Sequence, residues 1–309
     1  MIVTVTPNPS IDRTLRIPPL ERGAVIRATS VMAEPGGKGI NVSRGLATHG
    51  LDTVAIVPLS ESSAAVLTAL LGSATAVEAV TITGEIRVNV SLVEADGTVT
   101  KVNEPGPSFR DADVEALVDR SVELGSRAGW VVGCGSLPPG APLDLYARIA
   151  RGLPASVRMA VDADGAALRA CRGTRLALLK PNHHELAGLV ERDLPTLGSV
   201  VDAARELVAD GAEAVLVSLG PDGAVLVDAA GAVHGEASIQ DAVNPVGAGD
   251  ALLAGFIAGG GTASALSTAI AWSVAACRSP GTRMRQVRAE DCDAVVVHDA
   301  IDPDRRLRP

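Results

Sequence analysis

Aromatic side chains are nearly missing from this chain: two Trp, one Tyr and two Phe in 309 residues, or 2%. A core must therefore be built from Ala, Val, Leu and Ile. The 47% hydrophobic content supplies enough of them for one large or two small domains. With few rings to stack bases, no long basic run and a net charge of -9, nucleic acid is not expected as a partner. Cysteine is sparse as well. Cys134, Cys171, Cys277 and Cys292 lie far apart with no Cys-x-x-Cys pair, so they read as reduced, mostly buried thiols of a cytoplasmic protein. No basic region precedes the first apolar residues, and Met1-Ile2-Val3-Thr4-Val5 reads as a strand, not as a secretion signal. A membrane-length apolar run is also lacking. Residues 251–277 carry no charge, but Gly259-Gly260-Gly261 splits them into halves shorter than the roughly 20 residues a span needs. Two buried helices are expected there, and no membrane partner.

What is present is an alternation. Short β-branched runs at 2–6, 53–57, 130–134, 157–162, 176–179 and 214–219 read as strands, several apolar on both faces. Helical patterns lie between them, at 40–49, 62–71, 111–126, 143–151, 184–190 and 197–209. This predicts an α/β sheet with helices on both faces. One region breaks the pattern. From Ile86 to Leu92 the chain is strictly two-periodic, with Ile86, Val88, Val90 and Leu92 on one face and Arg87, Asn89 and Ser91 on the other. Ala95-Asp96-Gly97-Thr98 then reads as a hairpin turn. Residues 14–33 are also extended in character. The expected organisation is an α/β body (1–11, 33–84 and 104–309) carrying a small inserted β-sheet lid (12–32 and 85–103). A lid with a polar inner face suits phosphoryl transfer, because closure excludes water that competes as acceptor.

Four stretches carry chemistry. Asn244-Pro245-Val246-Gly247-Ala248-Gly249-Asp250 opens a helix. Its glycines leave amide N–H groups bare at a positive helix end, an anion site. Asp250 at that mouth is repulsive to a phosphate unless it takes a proton from an attacking hydroxyl. Taken alone, it is equally a helix-capping Asp. Glu34-Pro35-Gly36-Gly37-Lys38-Gly39-Ile40-Asn41 is a second glycine-rich loop at a helix start, without the spacing of a P-loop. Lys180-Pro181-Asn182-His183-His184-Glu185 joins a strand end to a helix. It suits Mg²⁺ held through waters beside phosphates, and has the form of a capping box as well. The two adjacent histidines point to different faces, which argues against a zinc site. Ser218-Leu219-Gly220-Pro221-Asp222-Gly223 is by itself a tight turn.

In this order, and with Thr6-Pro7-Asn8-Pro9-Ser10-Ile11-Asp12, Asn103-Glu104-Pro105-Gly106 and Gly135-Ser136-Leu137-Pro138-Pro139-Gly140, these stretches resemble the PfkB branch of the ribokinase-like sugar kinases over nearly the whole chain. The set is specific, although Gly-Ala-Gly-Asp alone is not. Asn244, where many relatives carry Asp, and Lys38, where a 6-phosphofructokinase relative has Gly, are similar to the phosphosugar subgroup.

The resemblance implies a three-layer α/β/α sandwich and an ATP- and Mg²⁺-dependent kinase. Its first-choice acceptor is fructose 1-phosphate, with tagatose 6-phosphate and fructose 6-phosphate as alternatives. Asp250 would be the base, and the amides of Gly247, Ala248 and Gly249 the anion hole. Asp12, Gly37, Asn41 and Asn89 would meet the sugar, with Lys38, Arg87 and Arg27 clamping the phosphate it already carries. Lys180, Asn182, Ser218, Gly220 and Gly223 would serve the nucleotide, with Glu185 at Mg²⁺. A homodimer formed lid to lid is also implied. A non-catalytic sugar-phosphate sensor on the same fold is the reading of another class; it predicts loss of a catalytic element, and Asp250 and its glycines are present. One departure stands out: relatives carry a glycine-rich loop where this chain reads Val57-Pro58-Leu59-Ser60-Glu61-Ser62-Ser63-Ala64. It bears on the substrate more than on the reaction.

Overall fold

The computed structural model describes residues 1–298 and 300–308. In chain order the strands are β1 (Ile2–Val5), β2 (Ser10–Arg16), β3 (Ser30–Gly36), β4 (Thr53–Leu59), β5 (Ala76–Thr81), β6 (Arg87–Val93), β7 (Val99–Asn103), β8 (Trp130–Gly135), β9 (Arg158–Ala163), β10 (Leu178–Leu179), β11 (Ala214–Ser218), β12 (Ala224–Asp228), β13 (Gly231–Ala237) and β14 (Val295–His298). Ten of them form one sheet in the order β14-β13-β12-β11-β10-β9-β8-β1-β4-β5. The half from β5 to β11 is parallel, and β11 to β14 continue it antiparallel. The sheet is therefore mixed. Strands β5 and β13 were not foreseen, because 76–81 and 231–237 interrupt their apolar residues with Ala, Gly, Glu and His; the short run β14 was not foreseen either.

Helices cover both faces. α1 (Lys38–Thr48), α2 (Glu61–Leu71), α3 (Asp111–Gly125), α4 (Leu145–Gly152), α5 (Gly165–Arg169), α6 (His183–Val190), α7 (Leu197–Ala209), α8 (Ala248–Ala258) and α9 (Leu266–Cys277) follow the expected positions closely, with α5 added. The strands' two-residue period explains the layering. Val131 and Val161 pack with Leu117 of α3, Ile149 of α4 and Leu207 of α7. Their neighbours Val132, Cys134 and Ala160 face Leu46 of α1, Phe256 of α8 and Trp272 of α9. The uncharged stretch 251–277 is the buried pair α8–α9. Among the described residues no helix is long and apolar enough to cross a membrane.

The second sheet runs β3-β2-β6-β7, with β2 and β6 parallel and the outer pairings antiparallel. Its register sorts the side chains. Glu34, Asp12, Asn89 and Asn103 stand in one cross-strand row, and Ser10 with Arg87 in the next row on that face. Ala33, Arg13, Val90 and Val102, then Val31, Leu15 and Leu92, lie on the other face. Every residue of β6 is only partly buried. The apolar face is thus not covered within the chain, and Val31 and Val102 are 54% and 57% exposed.

Candidate active site

A cleft of about 450 Å³ is lined from two sides. The polar lid row supplies Ser10, Asp12, Arg87, Asn89 and Asn103. The carboxyl ends of the parallel strands, where open α/β sheets bind ligands, supply Thr6, Gly135, Asp162, Lys180 and Ser218. Lys38, Asn41, Gly247, Gly249 and Asp250 complete it from the N-terminal turns of α1 and α8.

α8 starts because Gly247 at its N-cap takes φ 84°, a left-handed backbone that glycine adopts without strain. Among the described residues, the amides of Gly247 and Gly249 donate to no acceptor, whereas Ala248 N–H donates to Pro245 O at 3.2 Å. Two of the three expected amides are therefore open. Asp250 does not cap the helix. Its carboxylate is buried and accepts from Asn41 Nδ2 at 2.9 Å. Burial foremost, then the negative charge of Asp162, pushes its carboxyl up to about 7, against the opposing pull of Asn41, Lys180 and Lys38.

Asp162 is the penultimate residue of β9 and is buried. Its Oδ1 accepts from Lys38 Nζ at 2.8 Å, and its Oδ2 lies 2.8 Å from Lys180 Nζ. Burial resists ionisation here, but Lys180 and Lys38 outweigh it and hold the carboxyl below its usual range. Asp164 Oδ1 at 3.3 Å and Glu185 Oε1 at 3.8 Å also face Lys38 Nζ. Burial opposes the charge on that ammonium, and Asp162, Glu185 and Asp164 together reverse the effect and raise its pKa. Lys38, expected on the sugar's phosphate, is committed in this structure to Asp162.

On the lid, Arg87 donates to Asn8 O at 3.0 Å and to Glu104 O at 3.4 Å. Asn89 Nδ2 donates to Ser10 Oγ at 3.1 Å and to Asp12 Oδ1 at 2.9 Å. Among the described residues, five buried side-chain polar atoms find no partner: Thr6 Oγ1, Asn8 Oδ1, Asn41 Oδ1, Arg87 Nε and Asn89 Oδ1. All five belong to residues lining this cleft. An unpaired buried polar atom costs about 1–3 kcal/mol, so their convergence marks a place for a ligand rich in donors and acceptors.

Asn182 caps α6, accepting from Glu185 N at 2.8 Å, while Glu185 Oε2 accepts from Asn182 N at 2.8 Å. The capping box is real, and Glu185 Oε1 still faces the cleft's ammonium. Four expected residues fall outside the cleft lining, Ala248 among them. Arg27 is exposed and does not line the cleft, because it sits in the loop between β2 and β3 beyond the polar row. Gly220 and Gly223 do not line it either. Gly223 is fixed by packing, since a Cβ there would lie 2.1 Å from Gly235 O. Conversely, Asn8, Asn103, Ser136, Asp162 and Asp164 line the cleft without having been assigned a role. Asp162 had a signal: a charge closing the apolar strand Met159-Ala160-Val161. In the loop lacking glycines, Ser60 caps α2, and Ser62 and Ser63 each donate to Glu85 at 2.9 Å. Hydroxyls there tie the body to the entry of β6.

The model of the pfkB family carbohydrate kinases matches residues 6–283. A 1-phosphofructokinase of Haloferax volcanii is 38% identical over 260 residues, covering 84% of this chain and 83% of its own. The ATP-dependent 6-phosphofructokinase isozyme 2 of Escherichia coli is 35% identical over 257 residues, covering 82% and 83%. The crystal structure of the Escherichia coli phosphofructokinase-2 in complex with substrates and products superposes with a TM-score of 0.84 at 31% identity, over 94% of this chain and 97% of that one. Matched in sequence over most of its length and in backbone fold over 94% of it, the chain belongs to the pfkB family of carbohydrate kinases.

Proposed function

We propose that this protein is a 1-phosphofructokinase, transferring the γ-phosphoryl group of ATP to the free 6-hydroxyl of fructose 1-phosphate and yielding fructose 1,6-bisphosphate and ADP. The observation that carries the reading is the order of groups along the cleft. The Arg87 guanidinium stands on the lid, a buried carboxylate and two open amides stand at the start of α8, and two ammonium groups stand on the sheet edge. That is a cation for a resident phosphate, a base with an anion hole, and cations for an incoming one. The similarity to the Haloferax volcanii enzyme favours fructose 1-phosphate over tagatose 6-phosphate or fructose 6-phosphate.

Asp250 takes the proton of the 6-hydroxyl as its oxygen attacks the γ-phosphorus; the bond to the β,γ-bridging oxygen breaks, and ADP leaves with that electron pair. A base near 7 suits this work at neutral pH. The amides of Gly247 and Gly249 receive the charge of the moving phosphoryl group. Lys180 and Lys38 approach it from Asp162, and Arg87 holds the 1-phosphate through paired N–H donors. Asp12, Asn41 and Asn89 meet the sugar hydroxyls, and Ser218 and Asn182 lie on the nucleotide side. Among the described residues no three acidic, imidazole or thiol groups cluster to hold a metal. Glu185 would hold Mg²⁺ through waters, and the ion would neutralise charge on the nucleotide phosphates.

The exposed apolar lid face, with Val31 and Val102 on its two outer strands, supports a homodimer closed lid against lid. Four free cysteines support work in the reducing cytoplasm. The deciding experiment is an acceptor screen with purified protein and MgATP. The expected result is the highest kcat/KM with fructose 1-phosphate. A preference for unphosphorylated sugars would remove the case for Arg87 as the clamp on a resident phosphate.

A further inference from the structure

Asn41 and Asp250 lie 209 positions apart in the chain yet meet at the first turns of two packed helices, α1 and α8. The charged and titratable groups around Asp250 are Lys38 on α1, Cys134 on β8, Asp162 on β9 and Lys180 beyond β10. Both lysines are spent on Asp162. Among the described residues, Asp250 has no ion-pair partner, and its side-chain donor is the Asn41 amide. An ionised carboxylate only accepts, so the amide must turn Nδ2 toward it. That leaves Asn41 Oδ1 buried, without a partner, on a residue that lines the cleft.

We propose that Asn41 is the positioning residue of the base and a reader of the acceptor at once: its Nδ2 pins one oxygen of Asp250 and leaves the other for the reacting hydroxyl, while its Oδ1 accepts from a second hydroxyl of the same sugar. This rests on the kinase reading above. It makes the base sense whether a polyol of the right pattern is present. A hydroxyl on Oδ1 fixes the amide, and a fixed amide fixes the carboxylate. The Asn41 bond also favours the ionised form of Asp250 against burial and the charge of Asp162. Loss of the bond therefore moves the base upward.

The test compares wild type, Asn41→Ala and Asn41→Asp in two ways. The first is the pH profile of kcat/KM with fructose 1-phosphate. In Asn41→Ala the acidic limb moves up by about one pH unit, and in Asn41→Asp farther, since two carboxylates then share one site. Above the limb, Asn41→Ala recovers most of kcat while KM for the sugar stays about tenfold raised by the lost hydrogen bond. An unmoved limb with a raised KM would mean a sugar contact only, and equal losses in kcat at every pH would mean packing only; either overturns the proposal. The second is the ionisation of Asp250 followed by carboxyl ¹³C NMR in the ligand-free proteins. It needs no turnover, so an inactive wild type would sink the kinase reading and leave this test standing. An Asp250 titration unchanged in Asn41→Ala overturns the proposal on its own.

Discussion

Asp162 and Asp222 are both buried carboxylates, each facing two cations, and the chain holds them in opposite ways. Asp222, 3% exposed, accepts from Arg308 Nε at 3.0 Å and Arg305 Nη2 at 3.3 Å, and from the backbone N–H of Arg308 at 2.7 Å. Arg305 also forks onto Glu236 at 2.6 and 2.9 Å, and His298 Nε2 lies 2.9 Å from the same carboxylate. The segment carrying these arginines is laid onto the start of α7, with Leu197 N bonded to Arg305 O at 2.9 Å and Leu307 N to Pro195 O at 3.1 Å. Planar forks and main-chain donors are released only together. Asp162 instead meets two ammonium groups on flexible stems, point charges that can turn elsewhere. Among the described residues, all five buried polar atoms without partners lie around Asp162's cleft and none at Asp222. A satisfied polar network closes a fold; an incomplete one awaits a ligand.

This contrast can be broken by substitution. The largest effect belongs to the base: Asp250→Asn should lower kcat by about 10² or more in a coupled ADP assay. The same change should raise Tm at pH 8 by several degrees. The Asp250 carboxyl sits near 7 when folded against 3.8 otherwise, so the folded state holds an extra proton between those values and its stability falls as pH rises from about 4 to about 7. A neutral Asn escapes that loss. Next comes Asp162→Asn, which strands Lys180 and Lys38 without a counter-charge and should cost the ligand-free protein roughly 3 kcal/mol. Saturating MgATP and fructose 1-phosphate should return more of that loss, read as a gain in Tm, than they add to wild type. An equal gain would make Asp162 as fixed as Asp222.

Asp222→Ala should cost about 2 kcal/mol in urea unfolding while kcat stays within about twofold. A folded but inactive variant would join the two regions that the contrast separates. The smallest effect is the acid response of Glu236, whose carboxyl is held at about 2 by Arg305 against burial, with His298 helping. Its contribution is full above about 4.5 and lost as pH falls toward 2. The stability difference between wild type and Glu236→Gln should therefore shrink between pH 5 and pH 3, opposite in direction to the response of Asp250.

The fold was legible where a period could be read. The alternation Arg87, Asn89, Ser91 became the polar row of the lid, and the glycine break at 259–261 separated α8 from α9. The antiparallel half of the large sheet was less so, since 231–237 mixes Gly, Ala, His and Glu without a clean face. In the site, residues tied to glycine loops and caps emerged, because local backbone chemistry fixes them. Asp162 did not, because its meaning lies in two lysines, one on α1 and one just after β10. Arg27 lies outside the cleft lining in this structure, in a lid loop whose position no local signal fixes. The Asn41–Asp250 bond spans the chain and leaves no trace in either motif.

The parallel pairing of β2 with β6 has a consequence for how the molecule forms. Each half of the lid, β2–β3 and β6–β7, is by itself a two-stranded ribbon, which is marginal in water. The seam that joins them links segments separated by α1, β4, α2 and β5, so it cannot close until those elements have folded beneath it. Such non-local closure is slow. The lid is therefore the last part to assemble and the first to come apart, and the β2–β6 seam is where native-state hydrogen exchange should open while the ten-stranded sheet stays protected.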